Sequence, residues 1–181
     1  MYLKVAPKVE SVEELEQLEK RLSKAYYAGN LEKELKAIQK EKGFKNPIKY
    51  EISEWVGDEE EYVNENKEYH SPKICLANEA GYWRKFNALH DWFVQKCQDG
   101  VDECQTSLVD PDLLQDLFDK LLKINKKNAA KILPTTEGFF FGGTEYNEYY
   151  WDNVERLKMF LIQLFEKHDF KEQTLFYRSS W

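Results

Sequence analysis

The sequence predicts an α+β protein, mainly helical, with a few short strands forming a small sheet. Three observations predict it. Apolar residues recur at helical spacing in several long segments, as in Leu113, Leu114, Leu117, Leu121 and Ile124. Short alternating or aromatic runs occur at both ends of the chain and around residues 48–52. The helical segments outweigh the few short strands, which gives the α+β class.

Taken in order, residues 1–5 read as a short strand that Pro7 breaks. Ser11 with Glu14 forms a capping box, and Val12, Leu15, Leu18, Leu22 and Ala25 line one helix face. Gly29-Asn30 stops that helix, and a second runs from Leu31 to Lys42, ended by Gly43. Ile48, Tyr50 and Ile52 alternate as a strand closed by Trp55-Val56-Gly57. Asp58-Glu59-Glu60-Glu61 reads as a solvated acidic loop, and residues 64–72 as a further loop. A strong helix is expected over Asn78–Lys96, then a short strand over Thr106–Val109. Asp110 caps the next helix, with Pro111 at its first position. After Pro134 comes Gly138-Phe139-Phe140-Phe141-Gly142-Gly143, a buried strand or tight aromatic loop. Thr144 is expected to cap the longest helix, Glu145 to His168, and Phe176-Tyr177 to lie on a final strand.

The chain has 181 residues, enough for one domain that buries about 70% of its unfolded surface. The expected organisation is a single domain, 1–181. A charged helical section, about 7–70, forms an insertion or arm on a core of about 71–181. With 26 Lys and Arg against 33 Asp and Glu, the net charge of −7 argues against general duplex-DNA binding. The acidic balance instead suits steering onto a basic protein partner. No stretch of about 18 apolar residues occurs, so no membrane-spanning helix is expected. The opening Met1-Tyr2-Leu3-Lys4 lacks the apolar core of a secretion signal, and Cys75, Cys97 and Cys104 form no CxxC pair. Together these point to a cytoplasmic protein with reduced thiols, although a Cys97–Cys104 bridge stays open. The aromatic content of 15% exceeds what one small core needs and suggests a homo-oligomer.

Two segments could carry chemistry. In Tyr82-Trp83-Arg84-Lys85-Phe86-Asn87-Ala88-Leu89-His90, helical spacing puts Tyr82, Phe86, Leu89 and Phe93 in the core and Trp83, Asn87 and His90 on the flank. Such a wall, with Arg84 nearby, can stack a base, hydrogen-bond its edge and neutralise a phosphate. In the aromatic-glycine segment, Phe140, Tyr146 and Tyr149 are candidate stackers, and Thr144 stands at a helix start. The glycine spacing matches neither the P-loop nor the dinucleotide fingerprint, and Glu145 and Glu148 would repel a phosphate there. Glu145, Glu148 and Asp152, with His90 or Asp91, are an alternative divalent-cation set, equally explained as surface carboxylates. No catalytic signature occurs, which leans away from an enzyme, and no cofactor is expected.

The motifs Tyr82-Trp83-Arg84-Lys85-x-Asn87-Ala88-x-His90-x-Trp92-Phe93, Leu133-Pro134-Thr135-x-x-Gly138-Phe139-Phe140-Phe141-Gly142-x-Thr144-x-Tyr146 and Tyr177-x-Ser179-Ser180-Trp181 are distinctive. They resemble a family of small phage and prophage proteins. The resemblance covers residues 80–181 and the opening Met1-Tyr2-Leu3; residues 7–70 are longer and more charged than in a typical member. It implies a phage or mobile-element origin, hence the cytoplasm of an infected bacterium. In that setting the aromatic, Arg, Asn and His residues suit a nucleotide-binding protein that sequesters an immune signal. The site residues expected are Trp83, Arg84, Asn87, His90, Phe140, Thr144, Tyr146 and Tyr149. The alternatives are an acidic inhibitor of a host defence protein and a metal-dependent nucleotide-processing enzyme using His90 as acid or base.

Overall fold

A computed structural model describes residues 1–53, 73–138 and 143–180. The acidic run 58–61, Trp55-Val56-Gly57, Phe140 and Trp181 lie outside the described residues. The elements are β1 (Tyr2–Pro7), α1 (Val12–Tyr27), α2 (Leu31–Lys42), β2 (Glu51–Ser53), β3 (Lys73–Cys75) and β4 (Asn78–Tyr82), followed by α3 (Asn87–Cys97), β5 (Ser107–Val109), α4 (Pro111–Leu121), α5 (Ala129–Ile132), α6 (Glu148–Lys167) and β6 (Gln173–Arg178). This is an α+β fold dominated by helix. No described helix is long and apolar enough to cross a membrane. The chain divides into two compact units, one of Met1–Val5 with Glu79–Trp181, the other Ala6–Asn78.

The unit Ala6–Asn78 is a helix pair with a two-stranded ribbon. Ser11 Oγ accepts from Glu14 N–H at 3.1 Å, and the Glu14 carboxylate takes the Glu10 N–H. Leu15, Leu18, Leu22 and Ala25 of α1 and Leu35 and Ile38 of α2 are buried, the helical period made physical. Arg21 bridges to Glu34 and Glu41 across the pair, and Lys42 pairs with Glu14. α2 ends where Gly43 turns left-handed at φ 68°, which costs an L side chain but not glycine. β2 and β3 pair antiparallel, Ile52 opposite Ile74. The Ser23 hydroxyl and Glu19 carboxylate of α1 accept the Ile74 and Leu76 N–H groups.

The other unit carries a four-stranded sheet in the order β4-β1-β6-β5. β5 and β6 are antiparallel, with Ser107 opposite Tyr177 and Val109 opposite Leu175. Period-two alternation sends Leu3 and Val5, Leu175 and Tyr177, and Val109 into one core. Against them pack Leu89 and Phe93 of α3, Leu114, Leu117 and Leu121 of α4, and Val154, Leu157, Leu161 and Leu164 of α6. α4 begins as its sequence dictates: Pro111 leads, and the Asp110 carboxylate accepts the Asp112 N–H at 2.9 Å.

Three sequence expectations are corrected. The helix expected over Asn78–Lys96 is strand β4, then a bend, then α3 from Asn87. Tertiary pairing beside β1 overrides helical spacing here. A Cβ on Gly81 would lie 2.7 Å from both Phe160 Cε2 and Trp83 Cη2, so the strand fits only with glycine there. Lys85 at φ 58° then turns the chain, and Tyr82 is 46% exposed rather than in the core. Likewise the longest helix starts at Glu148, not Glu145, and its cap is Asn147, not Thr144. The Asn147 side chain accepts the Tyr150 N–H, while the Thr144 carbonyl is held by the Thr135 hydroxyl at 2.8 Å. The residues 48–52 strand is also shorter, beginning at Glu51.

Candidate functional site

The turn between β4 and α3 builds a cavity of about 250 Å³. Trp83, Arg84, Asn87 and His90 line it with Lys85 and Phe86, with Tyr2 and Tyr82, and with Ser179 and Ser180 beyond β6. The cavity therefore gathers residues from β1, the β4–α3 turn and the β6 end. Trp83 continues the β1–β4 pairing, its N–H donating to the Met1 carbonyl at 3.1 Å. Its indole is buried and meets the Phe160 ring edge-on, centroids 4.8 Å apart. Half-buried Tyr2 and exposed Tyr82 form a ring pair with centroids 5.1 Å apart. Arg84 and Lys85 are exposed on the lip.

α3 opens at this cavity without a side-chain cap and without an acid in its first turn. Its first N–H groups and its dipole therefore favour negative charge at that end. Sequence reasoning looked for such an end at the longest helix, but α6 is capped by Asn147 and carries Glu148 in its first turn.

The wall below is a buried polar relay. His90 Nε2 lies 3.1 Å from Asp102 Oδ2, and His90 Nδ1 lies 2.6 Å from the Tyr177 hydroxyl. Asp102 Oδ1 accepts from the Ser179 hydroxyl at 2.8 Å and from the Cys104 N–H at 3.1 Å. Burial lowers the His90 pKa, outweighing the attraction of Asp102, so the ring is neutral at pH 7. Burial, with the Asp102 charge behind it, raises the Tyr177 phenol, which stays protonated. The carboxylate is an acceptor only, so Nε2 carries the ring proton and Nδ1 accepts from Tyr177. Both ring nitrogens are engaged, Nε2 by Asp102 and Nδ1 by Tyr177. That geometry counts against the acid–base role considered for it.

The described residues that follow the aromatic-glycine segment, Gly143, Tyr146 and Tyr149, buttress this site rather than lining it. Asn87 Nδ2 donates to the Gly143 carbonyl at 2.9 Å. The Tyr149 hydroxyl, on a half-exposed ring, donates to the Arg84 carbonyl at 2.7 Å and fixes the lip from outside. The Tyr146 hydroxyl accepts the Thr135 N–H, and its ring meets Tyr150 edge-on. The structure thus brings Trp83, Arg84, Asn87 and His90 to one cavity and places Thr144, Tyr146 and Tyr149 off its lining. Glu145 precedes α6, so it does not share a helical face with Glu148 and Asp152. Among the described residues no group of three or more His, Cys, Asp or Glu side chains is placed to hold a metal ion. Cys75, Cys97 and Cys104 are free thiols, and burial pushes Cys97 up to about 11.

Sequence reasoning missed Tyr2, Ser179, Ser180 and Asp102. Ser179 and Ser180 stood in a distinctive terminal motif, which was a usable signal. Asp102 had none, because only the fold brings its loop beneath His90.

The fold and this site define a small α+β protein with a cation-lipped, polar-walled cavity. No protein-family model matches the chain, and comparison with curated proteins and with solved structures returns no match.

Proposed function

We propose that the protein binds a single nucleotide unit in this cavity and holds it without altering it, as a phage-encoded sponge for a nucleotide immune signal in an infected bacterium. The observation that carries the reading is the joint placement of Arg84 and Lys85 with the uncapped start of α3 at one cavity. Two cations and a helix N-terminus suit a phosphate. The Tyr2 and Tyr82 rings in the cavity lining are suited to stack a base, the role assigned to Trp83 from sequence. The volume favours one nucleotide unit over a larger cyclic species, since drug-sized ligands occupy about 300–1,000 Å³. Sequestration over turnover is supported by the commitment of both His90 nitrogens.

Calorimetry with ribonucleoside monophosphates tests the reading, followed by chromatography of the recovered ligand. Binding should occur, the ligand should return unchanged, and Arg84→Ala or Lys85→Ala should each weaken affinity about tenfold, the worth of one charge-assisted contact. Absence of binding, or binding indifferent to both substitutions, overturns it. A cleaved ligand would establish an enzyme instead.

A further inference from the structure

The polarity of the cavity wall is set by a residue that does not line it. Ser179 lines the cavity and is 1% exposed, and its hydroxyl donates to Asp102 Oδ1 at 2.8 Å. A hydroxyl has one proton and two lone pairs. With the proton committed to a carboxylate that can only accept, Ser179 Oγ has lone pairs alone for a ligand. Asp102 is itself held on three sides, by Ser179, by His90 Nε2 and by the Cys104 N–H. The Ser179 proton therefore has no reason to turn toward the cavity. Two parts of the cavity lining then have opposite requirements. The lip, with Arg84 and Lys85, attracts an anion, while the Ser179 wall rejects a phosphate oxygen because two acceptors would meet.

We infer that Ser179, oriented by Asp102, is a specificity-determining acceptor that selects ligands carrying, besides their phosphate, a hydrogen-bond donor, a sugar O–H or a base N–H. Asp102 is a positioning residue in this scheme, acting through Ser179 and His90. The inference rests on the nucleotide-binding reading and deepens it. It separates nucleotides from inorganic phosphate and simple phosphate esters, which satisfy the lip alone.

The test measures dissociation constants of the full chain for inorganic phosphate, methyl phosphate, ribose 5-phosphate and the ribonucleoside 5′-monophosphates. Methyl phosphate should bind no better than inorganic phosphate. At least one nucleoside monophosphate should bind about tenfold tighter or more, the worth of one hydrogen bond in a desolvated site. If ribose 5-phosphate shares that margin, the donor is a sugar hydroxyl; if not, it is a base N–H. Ser179→Ala should erase the margin between nucleotides and methyl phosphate. In that variant Asp102 Oδ1 still accepts the Cys104 N–H, so the carboxylate is not orphaned. Should Ser179→Ala not fold, the wild-type comparison of methyl phosphate with the nucleotides decides alone. A margin that survives Ser179→Ala, or methyl phosphate binding as tightly as nucleotides, overturns the inference and leaves nucleotide binding standing. Failure of every phosphate compound to bind overturns the nucleotide reading itself, and this inference with it.

Discussion

Replacing Tyr177 by Phe removes one oxygen atom from the interior and tests the relay directly. Tyr177 is 1% exposed, and its ring stacks on Phe93 at 4.2 Å with planes 12° apart. Phenylalanine keeps that stack, so the apolar contribution is unchanged. The loss is the 2.6 Å bond to His90 Nδ1, and the residue left behind is a buried acceptor with its donor gone. His90 cannot escape by switching tautomer, because Nε2–H is required by Asp102 Oδ2 at 3.1 Å. Loss of the bond and desolvation of an orphaned acceptor together cost about 2 kcal/mol. For a chain of this length that lowers Tm by about 4–8 °C. Differential scanning calorimetry of the wild type, Tyr177→Phe, His90→Leu and the double variant measures it. The double variant should be less destabilised than the sum of the singles by about 1 kcal/mol or more, because the second substitution removes the group the first left unpaired. A Tm within 1 °C of wild type for Tyr177→Phe, or an additive cycle, would refute the relay as described.

Gly81→Ala should destabilise by about 1–3 kcal/mol, the usual cost of forcing an atom into a filled core, since the new Cβ meets Phe160 and Trp83 at 2.7 Å; chemical denaturation reads it, and a neutral variant would contradict the close approach of β4 to α6. The stability of the wild type should fall as pH drops below about 6.5. There the unfolded chain takes up a proton on residue 90 that the folded chain, with the His90 pKa lowered by burial, refuses. His90→Gln keeps a donor for Asp102 and an acceptor for Tyr177 without titrating, so its Tm should decline less between pH 7 and 5; parallel curves would show that His90 is not the group responsible.

What was legible in the sequence was local. Ser11 with Glu14, Asp110 with Pro111, and Gly43 announce helix ends because capping is satisfied within four residues of chain. The apolar stripes of α1, α4 and α6 were readable because a helix presents every third or fourth residue to one side. Trp83, Arg84, Asn87 and His90 were legible as a group for a partly mistaken reason. Helical spacing puts Trp83, Asn87 and His90 on one flank with Arg84 nearby, yet Trp83 and Arg84 precede the helix, and a turn at Lys85 brings them to the cavity instead. β4 was illegible because Asn-Glu-Ala-Gly-Tyr has little strand propensity, and its conformation comes from the neighbouring strand β1 and from Phe160 filling the place of the missing Gly81 Cβ.

By itself, then, the sequence determined the α+β class, the acidic charge, most helix ends, and four residues that now line one cavity. Tertiary structure alone decided the relay of Ser179, Asp102, His90 and Tyr177, whose hydrogen-bonded partners are up to 87 residues apart. It also decided which helix start is left uncapped beside Arg84 and Lys85. The physical reason is range. Capping and amphipathic periodicity are settled among neighbours along the chain. The direction of a hydroxyl proton or the tautomer of an imidazole depends on partners that only the folded sheet brings within hydrogen-bonding distance.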